Sequence, residues 1–365
     1  MGILEKMREG EHEEVVFHYE PVSGLRAVVV IHNTALGPAL GGTRMYPYPS
    51  EEEAVGDALR LAQAMTYKSA VAGLDVGGGK AIIIADPAQH KTEPLLRAYG
   101  RLVHSLGGRY ITTTDVGTTT ADMDIIRRET CHVTGYSTAF GGSGDTSILT
   151  ALTIYLGMKA SVRQALGVDS LRGLRVAVQG VGKVGWHLLE HLTRDGCRIY
   201  AADVDSEALE RAVQEAGATP VPADEIYDVE CDVFSPNSLG GLLNDETIPR
   251  LRCRIVCGGA NSPLAQEHHA DALAQRGILF APDFVVNSGG VINAANELWG
   301  YDAQRAQAMA QKVYDTTLAV FALAKEHGVT PLAAARRLAE ERIRAAGGMR
   351  HYFVPSPAAK GNGFP

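Results

Sequence analysis

Val176-Ala177-Val178-Gln179-Gly180-Val181-Gly182-Lys183-Val184-Gly185 decides the fold. An apolar strand, Arg175 to Gln179, runs into three glycines at G-x-G-x-x-G spacing, and a helical pattern from Val184 to Arg194 follows. The glycines permit a tight turn, close approach of backbone to a pyrophosphate, and close packing of helix on strand. The helix N-terminus then faces the phosphates. Alone, the motif also fits a βα turn without a ligand. Here a second strand, Arg198 to Asp203, ends in an acid about 20 residues on, the spacing of dinucleotide-binding folds. The pattern predicts Gly180, Val181, Gly182, Lys183, Val184 and Gly185 around the pyrophosphate, with Asp203 accepting from the ribose hydroxyls. A carboxylate there repels a 2′-phosphate, so NAD is expected over NADP.

Outward from this turn, strand and helix alternate. Further strands are expected near Val233, Ile255 and Ile278, which argues an α/β fold with a parallel sheet and helices on both faces. The glycine-rich stretch from Phe140 to Ser147 reads as a connection between two domains. Before it, Leu25 to Ile31 reads as a strand and Ser50 to Met65 as a helix with a Ser50/Glu53 capping pair. After the second domain, Asp302 to Glu326 reads as one long helix. Thr330 and Pro331 start another, running to Gly347, and such a helix often packs back on the first domain. The division is therefore 1–145 plus 330–365 against 146–329. The tail His351 to Pro365 is expected to be loose.

Bulk composition excludes several functions. The chain has 365 residues, 45% of them apolar and 21% charged, with a net charge of -8. That balance argues against nucleic acid as a partner. No apolar run is long enough for a membrane span. The five cysteines are an odd number in a long chain, so no disulfide framework is expected. Cys253 and Cys257 flank a strand-like stretch and read as small core residues, so no metal is expected. Met1 to Lys6 shows no signal-peptide pattern, and the expected compartment is the cytoplasm.

The candidate chemistry lies in the first half. Lys68 is expected just past the end of the Ser50 helix. Lys80 follows Gly77, Gly78 and Gly79 on a loop entering an apolar strand, Ala81 to Ala85. Asp115 follows a strand from Arg109 to Thr112. Lysine is rarely placed in apolar, glycine-rich surroundings. Burial and a nearby cation favour neutral lysine, the form that can accept a proton. A surface loop lysine and a helix-terminal lysine are the plain alternatives. The glycine run is no phosphate loop: Leu74 stands where the first glycine would be, and Ala81 supplies no hydroxyl.

Four segments carry a family resemblance: Leu36 to Arg44, Met65 to Lys68, Gly77 to Lys80, and Asp115 to Thr118, with Ala281 to Ile292 as a fifth. They resemble the amino-acid dehydrogenases of the Glu/Leu/Phe/Val family, and the wording is most like the leucine and valine members. The likeness spans roughly Gly10 to Glu341. It implies an N-terminal α/β substrate and oligomerisation domain, a Rossmann-type NAD-binding domain, and an active site in the cleft between them. It also implies roles by position. Lys68 would hold the substrate carboxylate, Lys80 would be the general base, and Asp115 would handle the amino proton. Gly41 and Gly42 would approach the carboxylate. Leu40, Thr113, Val291 and Ala294 would line the side-chain pocket. Asn261 would contact substrate or nicotinamide ribose, and Asn237 would join it on the cofactor.

The implied reaction is NAD-dependent, reversible deamination of an apolar, branched-chain amino acid to its 2-oxo acid and ammonia, by a homo-oligomer. An aromatic substrate, or an NAD-binding protein without catalysis, are the alternatives. Thr113, Asn237, Ser262, Ala294 and Asn296 depart from the usual family wording, and Thr113 and Ala294 leave the choice of amino acid open.

Overall fold

The computed structural model describes residues 2–238 and 240–347. The expectation for His351 to Pro365 lies outside the described residues. The chain forms two compact units. The first comprises the chain up to Asp145, Ala294–Ala303 and the described residues from Ala339 on; the second comprises Thr146–Asn293 and Gln304–Leu338.

The first unit is built on a five-stranded sheet: β1 (Glu14–Glu20), β2 (Leu25–Asn33), β3 (Ala39–Tyr46), β4 (Gly77–Ile84) and β5 (Tyr110–Thr114), in the order β1-β2-β4-β3-β5. β2 runs antiparallel to β1 and β4, while β3 is parallel to both β4 and β5. Successive strand residues face opposite sides, so a strand covered on both faces is apolar throughout. β2 shows this. Val28 and Val30 pack under the helix Glu51–Val71, against Val55, Leu59 and Ala62. Leu25, Val29 and Ile31 pack on the other face with Leu96, Tyr99 and Val103 of the helix Glu93–Ser105.

Two expectations change here. Lys80 is not on a loop: β4 begins at Gly77, and Lys80 is its fourth residue, 5% exposed. The glycines form strand because their neighbours leave no room for side chains. A Cβ on Gly77 would lie 1.9 Å from the Asn33 carbonyl, and one on Gly78 2.1 Å from the Thr66 amide nitrogen. On Gly79 it would meet the Tyr110 ring at 2.8 Å. Nor does the Ser50 helix stop at Met65. Thr66, Ser69, Ala70 and Val71 continue its buried face, and it ends at Val71, two residues before Gly73, whose φ is 72°. Lys68 therefore lies in its last turn.

The second unit holds six strands: β6 (Arg175–Gln179), β7 (Arg198–Ala202), β8 (Thr219–Pro220), β9 (Val233–Pro236), β10 (Ile255–Val256) and β11 (Leu279–Phe280). Their order is β11-β10-β9-β6-β7-β8, and every pairing is parallel. The order reverses at β6, with β7 on one side and β9 on the other. Ligands of such sheets bind at that switch point, beyond the carboxyl ends of the strands.

The expected helix from Asp302 to Glu326 is two helices, Ala303–Gln311 and Val313–His327. The Lys312 amide bonds the Met309 carbonyl, a tightened turn that breaks the run. The units also differ from the sequence-based division. Ala294–Ala303 groups with the first unit, where the Glu297 carboxylate accepts from the amides of Gly135 (3.0 Å) and Ser143 (2.7 Å). The start of the helix Pro331–Gly347 groups with the second, where Arg336 pairs with Glu267.

Gly78→Ala should be strongly destabilising, because the obstacle is helix backbone with nowhere to move. The expected cost is at least about 2 kcal/mol, the upper half of the range for overpacked cores. A thermal melt of the variant checks this, and an unchanged midpoint would mean that the helix is free to lift from β4.

Candidate active site

β3 lies between β4 and β5, so the register of two strand pairs assembles the site. Leu40 pairs with Gly78 and Thr43 with Ala81 on one side; Gly41 pairs with Thr112 and Gly42 with Thr113 on the other. Asp115 follows the last residue of β5. Its Oδ2 accepts from Lys80 Nζ at 2.5 Å and from Arg44 Nε at 3.1 Å. The Lys80 side chain is 6% exposed and that of Asp115 19%. Burial alone pushes the Asp115 carboxyl up, but the Lys80 and Arg44 cations outweigh it and hold its pKa below the ordinary value. The carboxylate is thus ionised throughout the neutral range.

The turn that carries Asp115 is pinned to β3. Thr118 Oγ1 accepts from the Asp115 amide and donates to the Thr43 carbonyl, at 2.9 and 2.8 Å. Gly117 has φ 80°, and its Cβ would lie 2.0 Å from the Met45 carbonyl. Gly42 is equally constrained: a Cβ there would meet the Asp115 Cβ at 2.8 Å and Lys80 Nζ at 3.4 Å. Any other residue at Gly42 would press on the ion pair. Below Gly41, Tyr110 donates to the Gly41 carbonyl at 2.7 Å. The hydroxyls of Thr43, Tyr99 and Thr112 bond one another in the buried floor.

The remaining expected substrate residues are placed as follows. Lys68 is half-buried, two residues beyond the Thr66 backbone that abuts Gly78. Leu40 is fully buried. Thr113 is half-buried, and its Oγ1 lies 2.7 Å from where a Gly135 Cβ would be. Gly135 is the residue whose amide Glu297 holds, so Glu297 fixes the wall behind Thr113. Sequence reasoning passed over Glu297; its place three residues after Ala294 was the one available signal. Val291 and Ala294 are both buried on the helix Gly289–Asn296, but fall in different units, as do Lys80 and Asn261.

In the second unit the glycine turn joins β6 to the helix Lys183–Asp195. Gly180 has φ 90°, and its Cβ would lie 2.9 Å from the Asn237 carbonyl carbon. A Cβ on Gly185 would lie 2.1 Å from the Gly180 carbonyl oxygen. Gly182 differs: nothing lies within 4 Å of its Cβ position, and no side chain caps the helix it begins. Asp203 Oδ2 accepts from the Val181 amide at 2.6 Å, which puts that carboxylate against the turn. Lys183 is exposed and Val184 half-buried. These residues fit a dinucleotide: an uncapped helix N-terminus, glycine where backbone must be approached, and an acid beside it.

Asn237 and Asn261 are tied into the same loops. Asn237 donates to Ser235 and accepts from the Gly259 amide at 2.8 Å. Asn261 Oδ1 accepts from Asn287 Nδ2 at 3.1 Å, and Asn287 also donates to the Gly259 carbonyl. Ser262 adopts φ 49°, a left-handed conformation that asparagine tolerates better than serine. The usual asparagine at that position thus has a backbone reason. Asp245, His268 and His269 bring three metal-type ligands together. His269 Nδ1 accepts from the Gln266 amide, however, so its proton sits on Nε2, 3.2 Å from Asp245 Oδ1. A hydrogen bond accounts for that contact.

The chain is similar to known proteins along most of its length. Residues 12–132 match the model of the Glu/Leu/Phe/Val dehydrogenase dimerisation domain, and residues 203–350 match that of the glutamate/leucine/phenylalanine/valine dehydrogenases. The chain belongs to this family. It is 51% identical to a leucine dehydrogenase of Thermoactinomyces intermedius over 97% of both chains. It is 53% identical to a valine dehydrogenase of Streptomyces virginiae, over 92% of this chain and 94% of that one. Its fold matches the crystal structure of L-tryptophan dehydrogenase from Nostoc punctiforme with a TM-score of 0.82 and 45% identity, covering 94% and 99% of the two chains. As a Glu/Leu/Phe/Val dehydrogenase, the chain is an oxidoreductase acting on amino acids with a nicotinamide dinucleotide. Among the described residues, no helix is long and apolar enough to cross a membrane.

Gly182→Ala separates cofactor binding from folding. The position is open and its φ is -61°, so alanine should cost less than about 1 kcal/mol of stability, the scale of an N-cap change. NADH affinity, read by fluorescence titration, should fall at least tenfold, and unaltered affinity would remove the pyrophosphate from this turn.

Proposed function

We propose that the protein catalyses the NAD-dependent, reversible oxidative deamination of a branched-chain L-amino acid, leucine or valine, to its 2-oxo acid and ammonia. The observation that carries this reading is the Lys80–Asp115 pair, with Nζ 2.5 Å from Oδ2 in a largely buried setting beside Gly41 and Gly42. The names of the leucine and valine dehydrogenases that it resembles support the substrate class.

Bound NAD supplies the hydride acceptor. The chain's own groups do the rest. Lys68, a cation at the end of its helix, holds the substrate carboxylate with help from the Gly41 and Gly42 backbone. Asp115, an anion in the neutral range, takes hydrogen bonds from the substrate amino group and steadies Lys80. Lys80 takes a proton from water as that water adds to the imine carbon. Lys80 then gives that proton to the carbinolamine nitrogen and takes the hydroxyl proton as the C–N bond breaks, which releases ammonia and leaves the 2-oxo acid. Leu40, Thr113, Val291 and Ala294 set the side-chain pocket. In the second unit, the turn from Gly180 to Gly185 takes the pyrophosphate, Asp203 the ribose hydroxyls, and Asn237 and Asn261 the nicotinamide end. Asp203 favours NAD over NADP because a second anion at the 2′ position would face its carboxylate. The protein works as a homo-oligomer assembled through the first unit, which includes the region matching a dimerisation-domain model, and its place is the cytoplasm.

One observation favours a second reading, an aromatic substrate. Ala294 is smaller than the usual valine, and a tryptophan dehydrogenase is among the similar structures. A pocket change of one or two methyl groups alters discrimination by roughly 1–3 kcal/mol each.

Initial rates with a panel of amino acids, run with NAD and with NADP, should place leucine or valine first and NAD far ahead. Phenylalanine or tryptophan in first place would transfer the assignment to the second reading, and silence across the panel would end both. Lys80→Ala should lower turnover by at least ~100-fold while NADH still binds, the lower end for a lost acid–base group. A variant keeping most of its turnover would exclude Lys80 as the base.

A further inference from the structure

We propose that Arg44 is a positioning residue for the Lys80–Asp115 pair. Anchored by Asp57, it fixes the Asp115 carboxylate and remains its counter-ion when Lys80 is neutral. The inference rests on the roles proposed above for Lys80 and Asp115.

The geometry is asymmetric in a useful way. Arg44 spans two carboxylates: Nε donates to Asp115 Oδ2 at 3.1 Å, and Nη1 donates to Asp57 Oδ2 at 2.8 Å. Asp57 is itself held from two further sides, by Tyr48 Oη on Oδ2 and by Arg60 on Oδ1, both at 2.5 Å. Asp57 lies on the helix that also carries Lys68, whereas Arg44 lies on β3 and Asp115 follows β5. One planar guanidinium therefore joins three elements of the site. Its side chain is 23% exposed, and that of Asp57 16%. At this depth charge pairs are poorly screened and rotamers are confined.

Chemistry gives the arrangement a purpose. A base must pass through its neutral form. Were Arg44 absent, Asp115 would be left with no cation on that oxygen when Lys80 gave up its proton, and in a low-dielectric site it would tend to take a proton or turn away. Arginine cannot supply that proton, because guanidinium stays charged at every working pH. Arg44 and Lys80 bond the same oxygen, so the carboxylate is held from the Arg44 side whatever the state of Lys80. A lysine could balance the charge, but a single ammonium lacks the fork that reaches both Asp57 and Asp115.

The test uses the full-length enzyme and its best amino acid. Arg44→Gln removes the charge and keeps polar reach, Arg44→Lys keeps the charge without the fork, and Asp57→Asn leaves Arg44 in place without its anchor. Thermal melting and NADH binding report whether each variant folds. For Arg44→Gln we expect kcat to fall at least tenfold and KM for the amino acid to change by less than about threefold. Losing a fixed cation beside the Lys80–Asp115 pair favours the protonated form, so the acid limb of the kcat/KM profile should move up by about one pH unit. Arg44→Lys should restore the limb but not the full kcat, and Asp57→Asn should show a smaller loss of kcat. Wild-type kcat and limb in Arg44→Gln would overturn the proposal. So would a rise in KM alone, which would make Arg44 a substrate-binding group. If Arg44→Gln does not fold, wild-type behaviour of both other variants overturns it. A wild-type enzyme silent on every amino acid would defeat the proposed function itself, and this inference with it.

Discussion

Three residues without side chains, Gly77, Gly78 and Gly79, set the spacing of the first unit. Each faces an obstacle that a methyl group could not share: the Asn33 carbonyl, the Thr66 backbone and the Tyr110 ring. The absence of side chains lets the helix Glu51–Val71 lie directly on β4. It also lets β4 carry Lys80 at the level of Gly42 between two crowded neighbours. Backbone contact of this kind is unforgiving, because neither party can rotate away as a side chain can. That rigidity suits a pair of groups that must stay within hydrogen-bonding reach through a change of charge.

The first unit gathers two of its buried charges around one anion. Asp115 receives two cations on one oxygen, and its turn is bonded to β3 through Thr118. Paired charges out of water contribute little to stability against an apolar alternative, since desolvation offsets their attraction. Their value here is placement. The second unit has the opposite character. Its dinucleotide turn presents backbone amides and one acid, and the order of its sheet puts the turn where β7 and β9 diverge from β6. Placement of charge in one unit and exposure of backbone in the other are the two requirements of a hydride-transfer enzyme whose cofactor does the redox chemistry.

Much of this was legible in the sequence, and the rest was hidden for physical reasons. The glycine turn, β6, β7 and Asp203 were readable because each local rule pointed to the same βαβ unit. The positions of Lys68 and Lys80 were misjudged. Glycine most commonly marks a loop, whereas in β4 it signals close backbone approach. The apolar spacing of the helix runs out at Met65, whereas its buried face continues through Thr66 and Ser69, which are polar. Glu297 and Arg44 were out of reach for another reason. The Glu297 partners lie more than a hundred residues away and the Asp115 partner of Arg44 lies 71 away, and sequence spacing carries no trace of such contacts.

The departures from the family wording follow the same division. None falls on Lys68, Lys80 or Asp115. Asn237 bonds the end of β9 to Gly259, Asn296 accepts from the Asp302 amide, and Ser262 holds a left-handed turn whose amide bonds Asp283. Asn237 and Ser262 serve backbone geometry in the loops after β9 and β10, and Asn296 does so at the end of its helix; backbone can be satisfied by more than one polar side chain. Serine at Ser262 is the exception, since it accepts a conformation it disfavours by about 1 kcal/mol or more. Thr113 and Ala294 alter pocket shape instead, one adding a hydroxyl near Gly135 and the other removing methyl groups. Shape tolerates gradual change, because each methyl group shifts discrimination without abolishing the reaction. The Lys80–Asp115 contact does not, since neither group has a substitute of the same charge and reach.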